Sequence, residues 1–188
     1  MPVETAFDRA VSFTRASSFT LREETGGDPD GGYNDLASDT GGATRWGVSQ
    51  RAYPQLDIAS LTREQAIEIY REYWNQAKCD QLPDAVAIAH FDCAFNSGVV
   101  AAARILQRTV GATVDGRLGP RTFAALRLYM AGRGPETVAV KLIETRARFV
   151  SDLVDEPEKP RERMNLQHIE GWIVRLVRLT AYVSRSTP

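Results

Sequence analysis

The sequence predicts a mainly α-helical fold, interrupted once by a Gly/Asp-rich loop or small hairpin inserted after the first helix. Three observations carry this. Apolar residues recur at helical spacing through most of the chain. Residues 25–47 hold half of the chain's 14 glycines together with four aspartates, and no long helix survives that composition. The 188 residues are 43% apolar and 25% charged, an ordinary globular balance. A chain of this length buries roughly 70% of its unfolded surface and needs no staples to hold a core.

The elements follow in order. Residues 5–24 read as a helix, with Phe7, Ala10, Val11, Thr14 and 16–19 on a moderate 3.6-residue pattern. The Gly/Asp-rich stretch comes next, and its strongest hairpin signal is Gly31-Gly32. From Leu61 onward the pattern is helical again. Thr62 and Gln65 have capping-box spacing. Ala66, Ile69, Tyr70, Tyr73, Trp74 and Ala77 then form one apolar face. A helix over 84–96 carries Val86, Ala89 and Cys93 and is broken by Ser97-Gly98. Another covers 99–109. The tight loop GATVDGRLGP follows, and Pro120 opens a helix to Met130 from a favoured first-turn position. Two longer helices, 135–154 and 167–184, flank a charged loop over 155–163 that carries two prolines.

Composition also excludes function classes. The formal net charge is −1, from 23 basic and 24 acidic residues, so nucleic acid is not the expected partner. No apolar run approaches the ~20 residues of a membrane span, so stable membrane insertion is not expected. The first residues lack the apolar core of a secretory signal, which predicts synthesis in the cytoplasm and delivery by another route. Cys79 and Cys93 have no metal spacing and read as buried thiols, with one bridge left open. His90, on an apolar helix, reads as a core histidine with satisfied nitrogens, and His168 as a surface residue. Asp28, Asp30, Asn34 and Asp35 crowd oxygen ligands into one loop but lack regular calcium-loop spacing, so no metal or cofactor is expected.

Chemistry is expected where the chain breaks local folding rules at length. The first helix ends in Arg22-Glu23-Glu24. A carboxyl group at a helix C-terminus faces the negative end of the macrodipole, which favours the protonated acid that a general acid needs. The bland alternative is a pair of solvated charges at a fraying end. Downstream, Gly41 and Gly42 allow Asp39 and Thr44 to face one cleft and hold a water between them. The bland alternative there is a side-chain turn satisfying the backbone.

These residues carry a resemblance. Glu24, Gly26-Gly27, Gly32-Tyr33-Asn34-Asp35 and the run Asp39-Thr-Gly-Gly-Ala-Thr44-Arg-Trp-Gly47 resemble glycoside hydrolase family 108, phage-type and bacterial N-acetylmuramidases of lysozyme-like fold. Asn96-Ser-Gly98, Leu106-Gln107, Val114-Asp115-Gly116, Gly119-Pro120-Arg-Thr122 and Gly171-Trp172 resemble the family's C-terminal peptidoglycan-binding region. The likeness runs from about residue 7 to 183. It departs from the family pattern after the glutamate, where Thr25 and the insertion 28–32 separate it from Tyr33. Glu23 and Glu24 therefore both remain candidates. Leu21, three residues before Glu24, favours Glu24.

The resemblance implies a lysozyme-like catalytic region over 1–95 and a helical peptidoglycan-binding region over 96–188, packed as one unit. It implies an endolysin-like, monomeric hydrolase of peptidoglycan glycan strands, acting on the wall after release through a holin or a secretion system. Glu24 would protonate the bond between N-acetylmuramic acid and N-acetylglucosamine, while Asp39 and Thr44 position water. Asp35 is the reserve for Asp39. An inverting arrangement needs ~6.5–9.5 Å between the carboxyl groups. Tyr33, Trp46 and Tyr53 are candidates to stack on sugar rings, or else to pack in the core or at a hinge. Asn96 suits an acetamido group, or else caps its helix. Asp115-Gly116 and Gly119-Pro120 most simply fix a turn. The role of Arg161, Arg163, Arg175 and Arg178 opposite anionic envelope polymers is left open. Two other readings use the same fold: a non-catalytic wall-binding or virion structural protein, and a lytic transglycosylase, which needs no positioned water.

Overall fold

The computed structural model describes residues 6–35, 42–152 and 160–185. Within them the chain is mainly α, with seven helices and one hairpin. The order is α1 (Ala6–Thr25), β1 (Thr44–Arg45), β2 (Val48–Ser49), α2 (Arg63–Gln76), a 3₁₀ turn at Cys79–Gln81, α3 (Asp84–Ser97), α4 (Val99–Val110), α5 (Pro120–Met130), α6 (Pro135–Asp152) and α7 (Pro160–Val183). The chain divides into two compact units, residues 1–74 and 75–188. The divide at 95/96 expected from the sequence lies within α3.

In the first unit, α1 buries Phe13, Ala16, Ser17 and Thr20 at helical spacing. The Phe13 ring meets Trp74 of α2 edge-on, with centroids 5.5 Å apart, and the Arg71 guanidinium covers it 3.3 Å from the ring centroid. The capping box forms as the spacing predicts. The Thr62 N–H donates to Gln65 Oε1 at 2.9 Å, and the Gln65 N–H donates to Thr62 Oγ1 at 3.3 Å. The hairpin lies elsewhere than expected. Its two-residue turn is Trp46-Gly47, with Thr44 opposite Ser49 and Arg45 opposite Val48. Gly31 serves packing instead: a Cβ there would fall 2.4 Å from the Trp46 ring, so only glycine lets the indole lie against the loop.

In the second unit, α3 is buried from Ala85 through Ala94 and packs against α4 and α6, with α7 also in contact. A helix buried all round should be apolar all round, yet α3 carries Asp92 and His90. Asp92 is fully buried between two arginines. Arg146 Nη1 donates to its Oδ2 at 2.6 Å, and Arg175 Nη2 donates to its Oδ1 at 2.6 Å. Burial alone would push the carboxyl pKa up; Arg175 and then Arg146 outweigh it and hold it at about 2. Arg175 is thus a buried partner of Asp92 and not part of a basic surface. His90 is also fully buried, as a core histidine should be; among the described residues neither ring nitrogen has a partner at full hydrogen-bond geometry, and the Ala77 backbone alone acts on the ring.

The α4–α5 loop is fixed by Gln107, itself buried. Its Nε2 donates to Asp115 Oδ1 at 2.7 Å, to the Arg117 carbonyl at 3.1 Å and to Thr122 Oγ1 at 3.2 Å, and its Oε1 accepts from the Gly116 N–H at 2.9 Å. The Asp115-Gly116 element therefore builds the turn, as its sequence suggests, and the Gln107 hydrogen bond lowers the Asp115 pKa. Pro120 opens α5 as expected. The last helix starts at Pro160, seven residues earlier than expected. A proline at the first helical position sacrifices no intrahelical bond, so this proline begins the helix where a loop was anticipated. Cys79 and Cys93 are both buried free thiols, and burial raises the Cys93 pKa to about 11. His168 is exposed.

Candidate active site

Glu24 stands in the last turn of α1. The helix stops one residue later, and the Gly27 N–H caps it by donating to the Arg22 carbonyl at 3.1 Å, a bond that spans the helix end. The chain then turns twice. The Asp28 N–H donates to the Thr25 carbonyl at 3.1 Å, and Asp28 Oδ1 accepts from the Asp30 N–H at 2.8 Å. Thus Asp28 spends its carboxylate on a turn.

The hairpin meets Glu24 from residues 44–49. Trp46 and Gly47 both have positive φ, 54° and 73°, the pattern of a type I′ turn whose twist matches the strands. Asn-Gly usually occupies such a turn, and a tryptophan in the left-handed region is costly. Three bonds hold it there: its N–H donates to the Gly31 carbonyl at 2.7 Å, its Nε1 to the Leu61 carbonyl at 3.0 Å, and its own carbonyl accepts from the Tyr70 hydroxyl at 3.0 Å. Gly47 lies directly under Glu24. A Cβ at 47 would sit 2.7 Å from Glu24 Cγ, 2.8 Å from Glu24 Cβ and 3.0 Å from Tyr70 Oη. The glutamate stem therefore rests on bare backbone, beside a buried tyrosine hydroxyl, with its side chain half-buried.

Thr44 is half-buried on β1. Its backbone extends the ladder by exchanging hydrogen bonds with Asn34 at 2.7 and 2.9 Å. Among the described residues its hydroxyl makes one long bond, 3.4 Å to the Gly42 carbonyl. Asp39 lies outside the described residues; Asp35 is exposed. Tyr33, next to Asn34, is 48% exposed and presents a ring to solvent. Tyr53 is half-buried, and burial, with Tyr73 and Glu72 nearby, pushes its hydroxyl pKa up to about 12. The Trp46 indole is 7% exposed, so it holds the turn and leaves almost no ring face for a sugar. Asn96, near the end of α3, is exposed, and its Oδ1 accepts from Arg146 Nη2 at 3.0 Å. That bond fixes the amide from behind.

Sequence reasoning missed the parts that position these groups. In sequence, Gly47 is only the end of the family-like run and Tyr70 only part of an apolar helix face, with no link to Glu24. Gln50 was passed over, though its Nε2 gathers the carbonyls of Tyr53, Pro54 and Leu56 at 2.9–3.2 Å and closes the loop after β2. Arg146 also escaped notice; a lone arginine among the apolar positions of α6 was its signal.

The Glycosyl hydrolase 108 family model matches residues 23–98, from the end of α1 through the close of α3. The Predicted Peptidoglycan domain model matches residues 101–177. Residues 23–98 thus form a glycoside hydrolase family 108 region. A family 108 region followed by a peptidoglycan domain makes the chain a peptidoglycan hydrolase of the glycoside hydrolase class. Among solved structures it is similar to Brucella abortus SagA, at 28% identity and a TM-score of 0.74, over 95% of this chain and 98% of that one. None of the curated proteins matches the chain. The family 108 region includes Glu24, the Trp46-Gly47 turn and Asn96, while the Gln107 network belongs to the peptidoglycan domain.

Proposed function

We propose that this peptidoglycan hydrolase is an N-acetylmuramidase that hydrolyses the β-1,4 bond between N-acetylmuramic acid and N-acetylglucosamine. The observation that carries the reading is the seat of Glu24: a carboxyl group at a helix end, half-buried, with its stem laid on Gly47 beside the Tyr70 hydroxyl. A general acid needs a fixed carboxyl group with access to the glycosidic oxygen. In this reading Glu24 protonates that oxygen as the bond breaks and charge builds on the ring. Asp39 and Thr44 hold the water that attacks the anomeric carbon from the opposite face, and Asp39 takes its proton. The loosely held Thr44 hydroxyl supports this role, since its long bond to Gly42 leaves it able to orient a water. Tyr33 offers an exposed face to a sugar ring.

The test is product analysis. Purified sacculi digested by the full chain should release fragments with reducing N-acetylmuramic acid ends by mass spectrometry. Reducing N-acetylglucosamine ends would mean that the other glycosidic bond is cut, and anhydro-muramic ends would mean a lytic transglycosylase.

A further inference from the structure

A second concave site lies wholly within residues 75–188. It is an open cavity of about 300 Å³, at the small end for ligand pockets. Its chemistry is divided. Val99, Ala103 and Leu118 supply small apolar walls, and Lys78 and Arg117 supply two exposed cations. Lys78 stands in the left-handed region, and its Nζ donates to the Leu118 carbonyl at 2.7 Å, which fixes the ammonium group against the wall while two of its donors stay unused. Arg117 is anchored through its backbone, where its N–H donates to Asp115 Oδ1 and its carbonyl accepts from Gln107. Its guanidinium is left to the solvent.

His90 also lines this cavity, fully buried; among the described residues neither ring nitrogen has a partner at full hydrogen-bond geometry, and only the Ala77 backbone lies close enough to act on the ring. A buried polar group without a partner costs roughly 1–3 kcal/mol, and native folds rarely retain one without a use. Burial lowers its pKa to about 4, though the nearby Ala77 backbone pulls weakly the other way, so the ring is neutral at pH 7. A neutral imidazole has one donor and one acceptor. The two nitrogens point apart, so one of them can meet one side of a peptide group, its N–H or its C=O.

We propose that this cavity binds the carboxylate end of a peptidoglycan stem peptide, a short acyl peptide ending in a small apolar residue such as D-alanine. The two cations take the carboxylate, the apolar walls take the methyl group, and His90 takes the peptide unit. The glycan itself fits less well, because its neutral hydroxyl-rich rings match neither the paired cations nor the aliphatic walls. The inference rests on peptidoglycan being the substrate, and it assigns the stem peptide a place of its own.

The test uses the full chain and two probes, N-acetyl-D-alanyl-D-alanine and its C-terminal amide. Imidazole nitrogen resonances are followed by NMR, with exposed His168 as the internal control. The acid should shift the His90 signals saturably and leave His168 in place. The amide should bind about tenfold more weakly, as expected for loss of one charge-assisted contact. Arg117→Glu should weaken the acid by at least as much, about tenfold or more. Equal binding of acid and amide, no shift at His90, or an unchanged affinity in Arg117→Glu would each overturn the proposal. Digestion of sacculi is run in parallel. Hydrolysis without acid binding overturns the pocket and leaves the hydrolase standing, whereas acid binding without hydrolysis does the reverse.

Discussion

Glu24 in residues 1–74 and Asp92 in residues 75–188 are both carboxyl groups on helices, yet their surroundings differ in kind. Glu24 is half-buried at a helix end and rests on the backbone of a turn. Asp92 is sealed in mid-helix between two guanidinium groups, with its pKa held at about 2. The first arrangement leaves a carboxyl group able to meet a substrate and exchange a proton. The second takes every lone pair for the protein and rules out acid–base work near neutral pH. Polar groups in one unit are thus held ready by glycine turns and strained backbone. In the other, the Asp92 and Gln107 clusters are closed on themselves and hold helices and a turn together, while Lys78, His90 and Arg117 line an open cavity.

That contrast yields graded predictions. The largest effect is expected at Asp92. Asp92→Ala leaves Arg146 and Arg175 buried without a counter-charge, which costs about 3–5 kcal/mol. Urea unfolding should show it as a lower midpoint, and a loss below about 1 kcal/mol would mean that water already screens the cluster. Next comes acid. His90 has a folded pKa of about 4 against 6.5 for the free side chain, so the unfolded state binds more protons between those values. Stability should be complete above about pH 6.5 and fall as the pH drops toward 4, by roughly 3 kcal/mol at about 1.4 kcal/mol per unit. His90→Gln should flatten that slope in thermal melts, and a slope that survives would assign it to other groups. Asp92 contributes only below this window, its stabilisation being lost as the pH falls from about 4 toward 2.

Gly47→Ala probes the other side of the comparison. Alanine at φ 73° is strained, and its Cβ would meet the Glu24 stem at 2.7 Å. A stability loss of about 1–3 kcal/mol is expected. Because Glu24 must move, kcat should fall about 10- to 100-fold as well. Loss of stability without loss of kcat would detach the turn from the catalytic geometry. The smallest effect is expected at the start of α2, where Thr62→Ala should cost about 1 kcal/mol through the capping box and leave activity unchanged.

Much of the helical layout was legible because periodicity and punctuation are local signals. The capping box at Thr62, the break at Gly98 and the Pro120 start each depend on residues within one turn. The misplaced hairpin has a different origin. Gly31-Gly32 has the better local turn chemistry, and Trp46-Gly47 takes the turn because of long-range contacts, with Leu61 and Tyr70 binding Trp46. The same holds at the candidate site. The helix end pointed to Glu23 and Glu24 together and the family-like spacing from Leu21 favoured Glu24, but its seat on Gly47 joins residues 23 positions apart. The Asp92 cluster spans still more, since Arg175 lies 83 residues beyond its partner. Pro160 was ambiguous in sequence because proline both ends loops and starts helices.

The central claim is that Glu24, and not its neighbour Glu23, is the general acid of this hydrolase. The most direct measurement is the initial rate of sacculus clearing by wild type, Glu24→Gln and Glu23→Gln, with urea midpoints confirming that all three fold alike. The account predicts that Glu24→Gln lowers the rate by about 10²–10⁴-fold at unchanged stability, while Glu23→Gln stays within about threefold of wild type. Clearing by Glu24→Gln at the wild-type rate, or a collapse confined to Glu23→Gln, would contradict it.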